Sequence, residues 1–292
     1  MLFILVAYSL PLLGKMGTAI LEKTTSLSTL QKLDNSLKKV PYIEPILVGA
    51  GLVGIGYWGL KTTPISNRKK FVFLPNFIER LVGSILYKII FQFVSSKLLP
   101  TEDPDYQRIS AIVDRLLSAN KDRLPSLSFT LHVIDQNAHN VFVLPNGKMF
   151  VYKGLLKVAA TDAQISAVLA HSIGHVLARH FGEKITFATI LSFAFKRFLN
   201  KQTEGSDIMG GATRGLINLK YSRALEYEAD VIGLHLMTKA CYNPNGALEV
   251  WENFKKVPRL SKIEFLCTHP SYSDRIQYLK TKMGEIQGWE QC

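Results

Sequence analysis

Apolar residues in this chain recur with two different periods. Between Asn76 and Leu98, Ile78, Leu81, Val82, Ile85, Leu86, Ile89, Ile90 and Phe93 fall three or four apart, interrupted by polar residues such as Arg80 and Lys88. That spacing predicts a helix with one broad apolar face, suited either to a core or to the surface of a bilayer. After the loop PTEDPD, Ile109, Ile112, Val113, Leu116 and Leu117 mark a second amphipathic helix. The period then shortens: SLSFTLHVID and NVFVLPNGKMFVY read as strands, the latter turned into a hairpin at Asn146-Gly147. From Thr161 the helical period returns, with Ile165, Val168, Leu169, Ile173 and Val176 as its stripe, Thr161 and Gln164 as a capping pair and Gly182 as its stop. A further helix, YSRALEYEADVIGLHLM, carries Leu225, Ala229, Ile232 and Leu236 on one side. Many helices around few strands predict an α+β fold, mainly helical with a small sheet, over residues 68–292.

The first 67 residues are of another kind. Residues 45–60, PILVGAGLVGIGYWGL, are flanked by Lys38, Lys39 and Lys61 and hold Tyr57 and Trp58 near one end, which predicts a short membrane helix. Within it Gly49, Gly51 and Gly54 spell a dinucleotide fingerprint, but Pro64 would interrupt the helix that a nucleotide site needs after it, and no acid stands between Glu44 and Glu79 to bind a ribose. Glycine-mediated packing is the better reading. The opening MLFILVAYSLPLLGK is short for a span and lacks the basic start of a secretory signal, and no arginine precedes Arg68, so no ordinary mitochondrial presequence is visible. Of the net charge of +12, eight units fall in residues 1–100, where ten Lys and two Arg face four acids. A basic, apolar segment without an Arg-rich helix or aromatic-interleaved basic strand suits an anionic membrane surface and argues against nucleic acid. Three widely spaced cysteines, Cys241, Cys267 and Cys292, indicate neither a disulfide framework nor a cysteine zinc site.

The candidate chemistry lies in AHSIGHVLARH, residues 170–180. His171 and His175 stand one helical turn apart on one edge of the apolar stripe, where two imidazoles can converge on one ion. Alone, the pair suits equally well two histidines satisfied at the edge of a core. Fifty-five residues past His171, Glu226 and Asp230 share a face of the later helix. Packing the two stripes together brings Glu226 in as a third ligand and leaves Asp230 to accept the second N–H of a ligating imidazole. Gly233 on that face permits close approach of the helices. In the zinc-peptidase pattern H-E-x-x-H a glutamate follows the first histidine and activates water. Here that position is Ser172, whose hydroxyl is short and a very weak base, so metal binding is expected and efficient hydrolysis is not.

The segments AVLAHSIGHVLARH, YSRALEYEAD and FLCTHPSYSDRI together resemble the membrane metallopeptidase family of HtpX and the CAAX prenyl protease, in particular its mitochondrial inner-membrane branch, over roughly residues 68–280. The resemblance implies a zincin-like metallopeptidase domain with one zinc per chain on His171, His175 and Glu226, Asp230 behind a ligand, and His269 of THP stabilising the transition state. Arg275 is a further candidate for that last role. It also implies that an extended substrate lies along the strand around residues 140–142, so that membrane-protein or unfolded polypeptides are the substrates. The bilayer, and homo- or hetero-oligomers, are the other partners it suggests. Two readings are then open: a membrane-tethered zinc metalloendopeptidase of mitochondrial inner-membrane quality control weakened at Ser172, or a zinc-binding, catalytically inactive paralogue that holds substrates or regulates a relative. A third, a membrane-anchored protein without metal, fits the ligand constellation poorly.

Overall fold

A computed structural model describes residues 59–124, 127–198, 206–257 and 272–285. From Lys61 onward the chain belongs to one compact unit. The expected membrane helix, apart from its last two residues, and His269 lie outside the described residues. Among the described residues no helix is long and apolar enough to cross a membrane.

The order of elements is β1 (Leu60–Thr62), β2 (Lys69–Phe71), α1 (Asn76–Val94), α2 (Pro104–Ala119), β3 (Thr130–Ile134), β4 (Val141–Val143), β5 (Lys148–Tyr152), α3 (Asp162–Leu177), α4 (His180–Phe198), α5 (Ser206–Lys239), α6 (Asn245–Lys256) and α7 (Tyr272–Met283). β1 and β2 form a two-stranded ribbon. The other three strands make a sheet in the order β3-β5-β4. The hairpin read from Asn146-Gly147 joins β4 to β5 antiparallel, with Val141 opposite Val151, and Gly147 takes the φ of 84° that the turn requires. β3 runs parallel to β5, with Thr130 opposite Lys148.

Strand alternation divides the core in two. Met149 and Val151 of β5 and Val133 of β3 face the larger cluster, built with α2, α3, α5, α6 and α7. Phe150 and Ile134, their neighbours in sequence, face a smaller cluster completed by Leu86 and Val94 of α1. The sheet is therefore covered on both sides, which is why all of Met149 to Val151 are fully buried. One face of α1 is core, while Phe77 (68% exposed), Leu81 (42%) and Ile85 (51%) are left on the other.

α3 is the central helix. Thr161 caps it as the sequence predicts: its Oγ1 accepts the Gln164 N–H, and the Gln164 side chain accepts the Thr161 N–H in return. The predicted stripe understates its burial, because Gln164 through Gly174 are buried all round, between α2, α5, α6 and β4. The stop also differs from the one predicted. α3 ends at Leu177, Arg179 turns the chain with a φ of 51°, and α4 begins at His180 and runs through Gly182. The corner is held by the Arg179 guanidinium, which donates to the Leu74 carbonyl at 2.5 Å and to Glu79. Glycine at position 182 serves instead for the close approach of Glu79, whose carboxylate a Cβ there would strike. Cys241 is disulfide-bonded, which the wide cysteine spacing did not indicate.

α3 packs on α5 at Gly233, where an added Cβ would lie 2.8 Å from the His171 nitrogen and 3.0 Å from its Cα. Asn120, fully buried after α2, donates to the carbonyls of Leu116 and Leu236 and ties that end to α5.

Candidate metal centre

The close crossing of α3 and α5 brings His171, His175 and Glu226 together. The two Nε2 atoms are 3.2 Å apart, and the Glu226 carboxylate oxygens stand 3.3 Å from that of His171 and 3.5 Å from that of His175. Donors about 3.3 Å apart are what a tetrahedral ion with bonds of about 2.0 to 2.1 Å requires. Two imidazoles and a carboxylate suit zinc, and the three residues form one of two groups among the described residues able to hold a metal.

The surroundings favour a cation there. Burial and Arg275 act to lower the proton affinity of His171, but the carboxylates of Asp230 and Glu226 overcome both and its pKa is raised. The Asp230 Oδ1 lies 2.9 Å from His171 Nδ1, so the ring donates from Nδ1 and keeps its Nε2 lone pair for a metal. Burial works against ionisation of Asp230, yet Arg275 and His171 hold its carboxyl below the usual aspartate range. Arg275 donates to both Asp230 oxygens, at 2.7 and 2.5 Å, and lies 3.9 Å above the Trp251 ring. It therefore sits behind His171, its Nη1 3.9 Å from Glu226 Oε2. Trp251, fully buried and edge-on to His171, was not singled out in the sequence, where it reads as one more apolar position of α6.

Ser172 is buried, and its hydroxyl donates to the Val168 carbonyl at 3.1 Å, back along its own helix. β4 is an edge strand, bonded to β5 on one side only within the described sheet, and it packs against α3.

A second cluster was not visible in the sequence. His180, Glu183 and Glu228 also set ligand atoms within 4.8 Å of one another. A cation of the chain already serves them: Arg68 Nε donates to Glu228 at 2.7 Å, and Nη1 and Nη2 donate to Glu183 at 2.7 and 2.6 Å. Ser66 donates to the other Glu228 oxygen. Burial would raise the pKa of Glu228, but hydrogen bonds from His180, Arg68 and Ser66 hold it far below the carboxylate range. Burial outweighs Glu228 at His180 and lowers its pKa, and burial lowers that of His175 further still. The third histidine of AHSIGHVLARH and the glutamate three residues beyond it were the only local signal.

Lys70 of β2 donates to the Ala178 carbonyl at the end of α3. Burial lowers its pKa from 10.5 to about 8, against the pull of Glu183 and Glu228. Between pH 8 and 10.5 the unfolded chain thus binds more protons at this site than the folded one, and stability rises with pH there. The contribution should total on the order of 3 kcal/mol. Denaturant unfolding through this window should show a rise that Lys70→Met lacks; parallel curves for the two proteins would refute it.

Residues 104–283, well over half the chain, match peptidase family M48, and the chain belongs to that family. It is 34% identical over 257 residues to the mitochondrial metalloendopeptidase OMA1 of Schizosaccharomyces pombe, covering 86% of this chain and 74% of that protein. To the Saccharomyces cerevisiae protein of the same name it is 31% identical over 278 residues, 89% of this chain and 79% of the other. To the human metalloendopeptidase OMA1 it is 31% identical over 236 residues, 75% of this chain but 45% of the longer human one.

Proposed function

We propose that the chain is a membrane-tethered zinc metalloendopeptidase of mitochondrial inner-membrane quality control, binding one zinc through His171, His175 and Glu226, with its hydrolytic step weakened at Ser172. The observation that carries the zinc assignment is the triangle of donors 3.2 to 3.5 Å on a side. The mitochondrial setting rests on the relatives named mitochondrial metalloendopeptidase. Bound zinc would polarise the substrate carbonyl and acidify water. The chain itself would orient an extended polypeptide along the edge of β4 that is open within the described sheet, beside α3, with His269 steadying the charge that develops on the carbonyl oxygen. Membrane association is supported by α1: its exposed residues Phe77, Leu81 and Ile85 stand beside Arg80 and Lys88, while its one acid, Glu79, is turned inward onto Arg179.

Ser172 favours a second reading, a zinc-binding paralogue that holds substrates or regulates an active relative, through homo- or hetero-oligomers. Among the described residues the neighbouring carboxylates have other partners: Asp230 is held by Arg275, and Glu183 and Glu228 by Arg68. Metal analysis of the full chain, purified in detergent without chelators, should return one zinc per chain. Cleavage of an unfolded reporter peptide should be slow and abolished by chelation. Absence of zinc sinks both readings; one zinc with no chelator-sensitive cleavage leaves the paralogue.

A further inference from the structure

The two histidines of the triad are backed differently. His171 donates directly to a carboxylate, Asp230, at 2.9 Å. His175 Nδ1 instead faces another imidazole, His180 Nδ1, at 2.7 Å. For His175 to offer its Nε2 lone pair, Nδ1 must carry the proton, so His180 must accept at Nδ1 and carry its own proton on Nε2. His180 Nε2 lies 2.8 Å from Glu228 Oε2, the acceptor that selects this tautomer. The carboxylate behind His175 is thus one imidazole further away than the one behind His171.

Glu228 is in turn held from a point in the chain ahead of the segment that the family model matches. Glu228 and Glu183 are both buried, and two buried carboxylates without a cation would repel, one of them taking up a proton or swinging away. Arg68 spans both with its planar fork, a geometry that lysine cannot reproduce. It reaches them from the turn between β1 and β2, 160 residues from Glu228 and ahead of the match that begins at residue 104. The turn is strained: Ile65 and Asn67 have φ of 72° and 53°, and the first is costly for a β-branched residue. Thr63, bonded at its N–H to the Arg68 carbonyl and at its carbonyl to the Asn67 N–H, closes the turn and fixes the stems of Ser66 and Arg68.

We propose that Arg68 is a positioning residue for the metal ligand His175, acting through Glu228 and His180. The proposal rests on the zinc reading of the triad. It makes the β1–β2 turn part of the metal site's outer support, with the Arg68 guanidinium as the cation that serves Glu183 and Glu228.

The test measures zinc affinity of the full chain in detergent by competition with a chelating indicator, alongside the visible spectrum of the cobalt-loaded protein. Thermal unfolding of each metal-free variant is recorded as well. His180→Asn should weaken zinc about 10- to 100-fold, the usual effect of losing a partner behind a ligand. Glu228→Gln, which keeps the shape and the Arg68–Glu183 pair, should weaken it about tenfold and shift the cobalt bands. Arg68→Lys should do the same, and the Arg68→Lys, His180→Asn double variant should be no weaker than His180→Asn alone. Zinc affinities of Glu228→Gln and Arg68→Lys within twofold of native, or losses that multiply in the double variant, overturn the proposal and leave Arg68 a purely structural tie. Should Arg68→Lys fail to fold, Glu228→Gln decides by itself. A native chain that binds no zinc would instead refute the metal site, an outcome separate from these.

Discussion

Ser172→Glu should raise peptide hydrolysis by about 10² to 10⁴, the usual worth of a positioned general base, or roughly 3 to 5 kcal/mol of barrier. Position 172 follows His171 on α3, so a longer carboxylate there reaches toward the triad, where the present hydroxyl is turned back on Val168. Losing that bond costs little, because the Val168 carbonyl keeps its helical partner. The opposing effect is crowding, since Ser172 is only 5% exposed and an added side chain in a packed interior costs typically 1–3 kcal/mol. The barrier reduction exceeds this cost so long as zinc still binds. The measurement is single-turnover cleavage of an unfolded peptide by the zinc-loaded native chain beside Ser172→Glu. Equal rates would show that the serine does not impair the chemistry. An inert Ser172→Glu that still holds zinc would place the damage elsewhere, and the second functional reading would then stand.

Gly233→Val should cost more in metal binding than in folding. The first added carbon already meets the His171 backbone at 2.8 Å, and backbone atoms of a buried helix cannot swing aside as a side-chain tip can. α3 and α5 must then separate, carrying Glu226 away from His171 and His175. Helix propensity acts the other way, since valine is better than glycine in a helix interior by a few tenths of a kcal/mol. The expected net loss is therefore about 1–3 kcal/mol of stability. Geometry is less forgiving: a shift of about 1 Å at a reacting centre costs about 100-fold. Zinc affinity by indicator competition, set beside the unfolding midpoint, separates the two. A variant that keeps native zinc affinity would mean that the crossing at Gly233 does not set the ligand geometry.

What the sequence made legible was local. The capping pair at Thr161 and Gln164, the Asn146-Gly147 hairpin and the one-turn spacing of His171 and His175 depend on neighbours within four residues, and each is found in the fold. Glu226 could be inferred across 55 residues because two helices with matching apolar stripes have one economical way to pack. The end of α3 was misread because glycine is a common stop, while the real corner is a non-glycine residue, Arg179, held in a left-handed conformation by Glu79 and Leu74. Arg68 was illegible for a plainer reason. Its partners lie 115 and 160 residues away, and a lone arginine in NRKKFVFLP has no periodicity to betray them. Sequence pattern finds faces, whereas a salt-bridged clamp between loops is a property of the finished packing.

The brevity of β4 has a consequence for selectivity. Within the described sheet the outer edge of β4 is three residues long and spans only about 10 Å, so a guest chain laid along it as proposed would pair over roughly three residues. So few main-chain bonds confer little affinity by themselves and can read only one or two side chains. On the proposed binding mode an edge of that length would discriminate by whether a segment can be drawn out straight, and hardly by its letters; it would sort polypeptides by their state of folding.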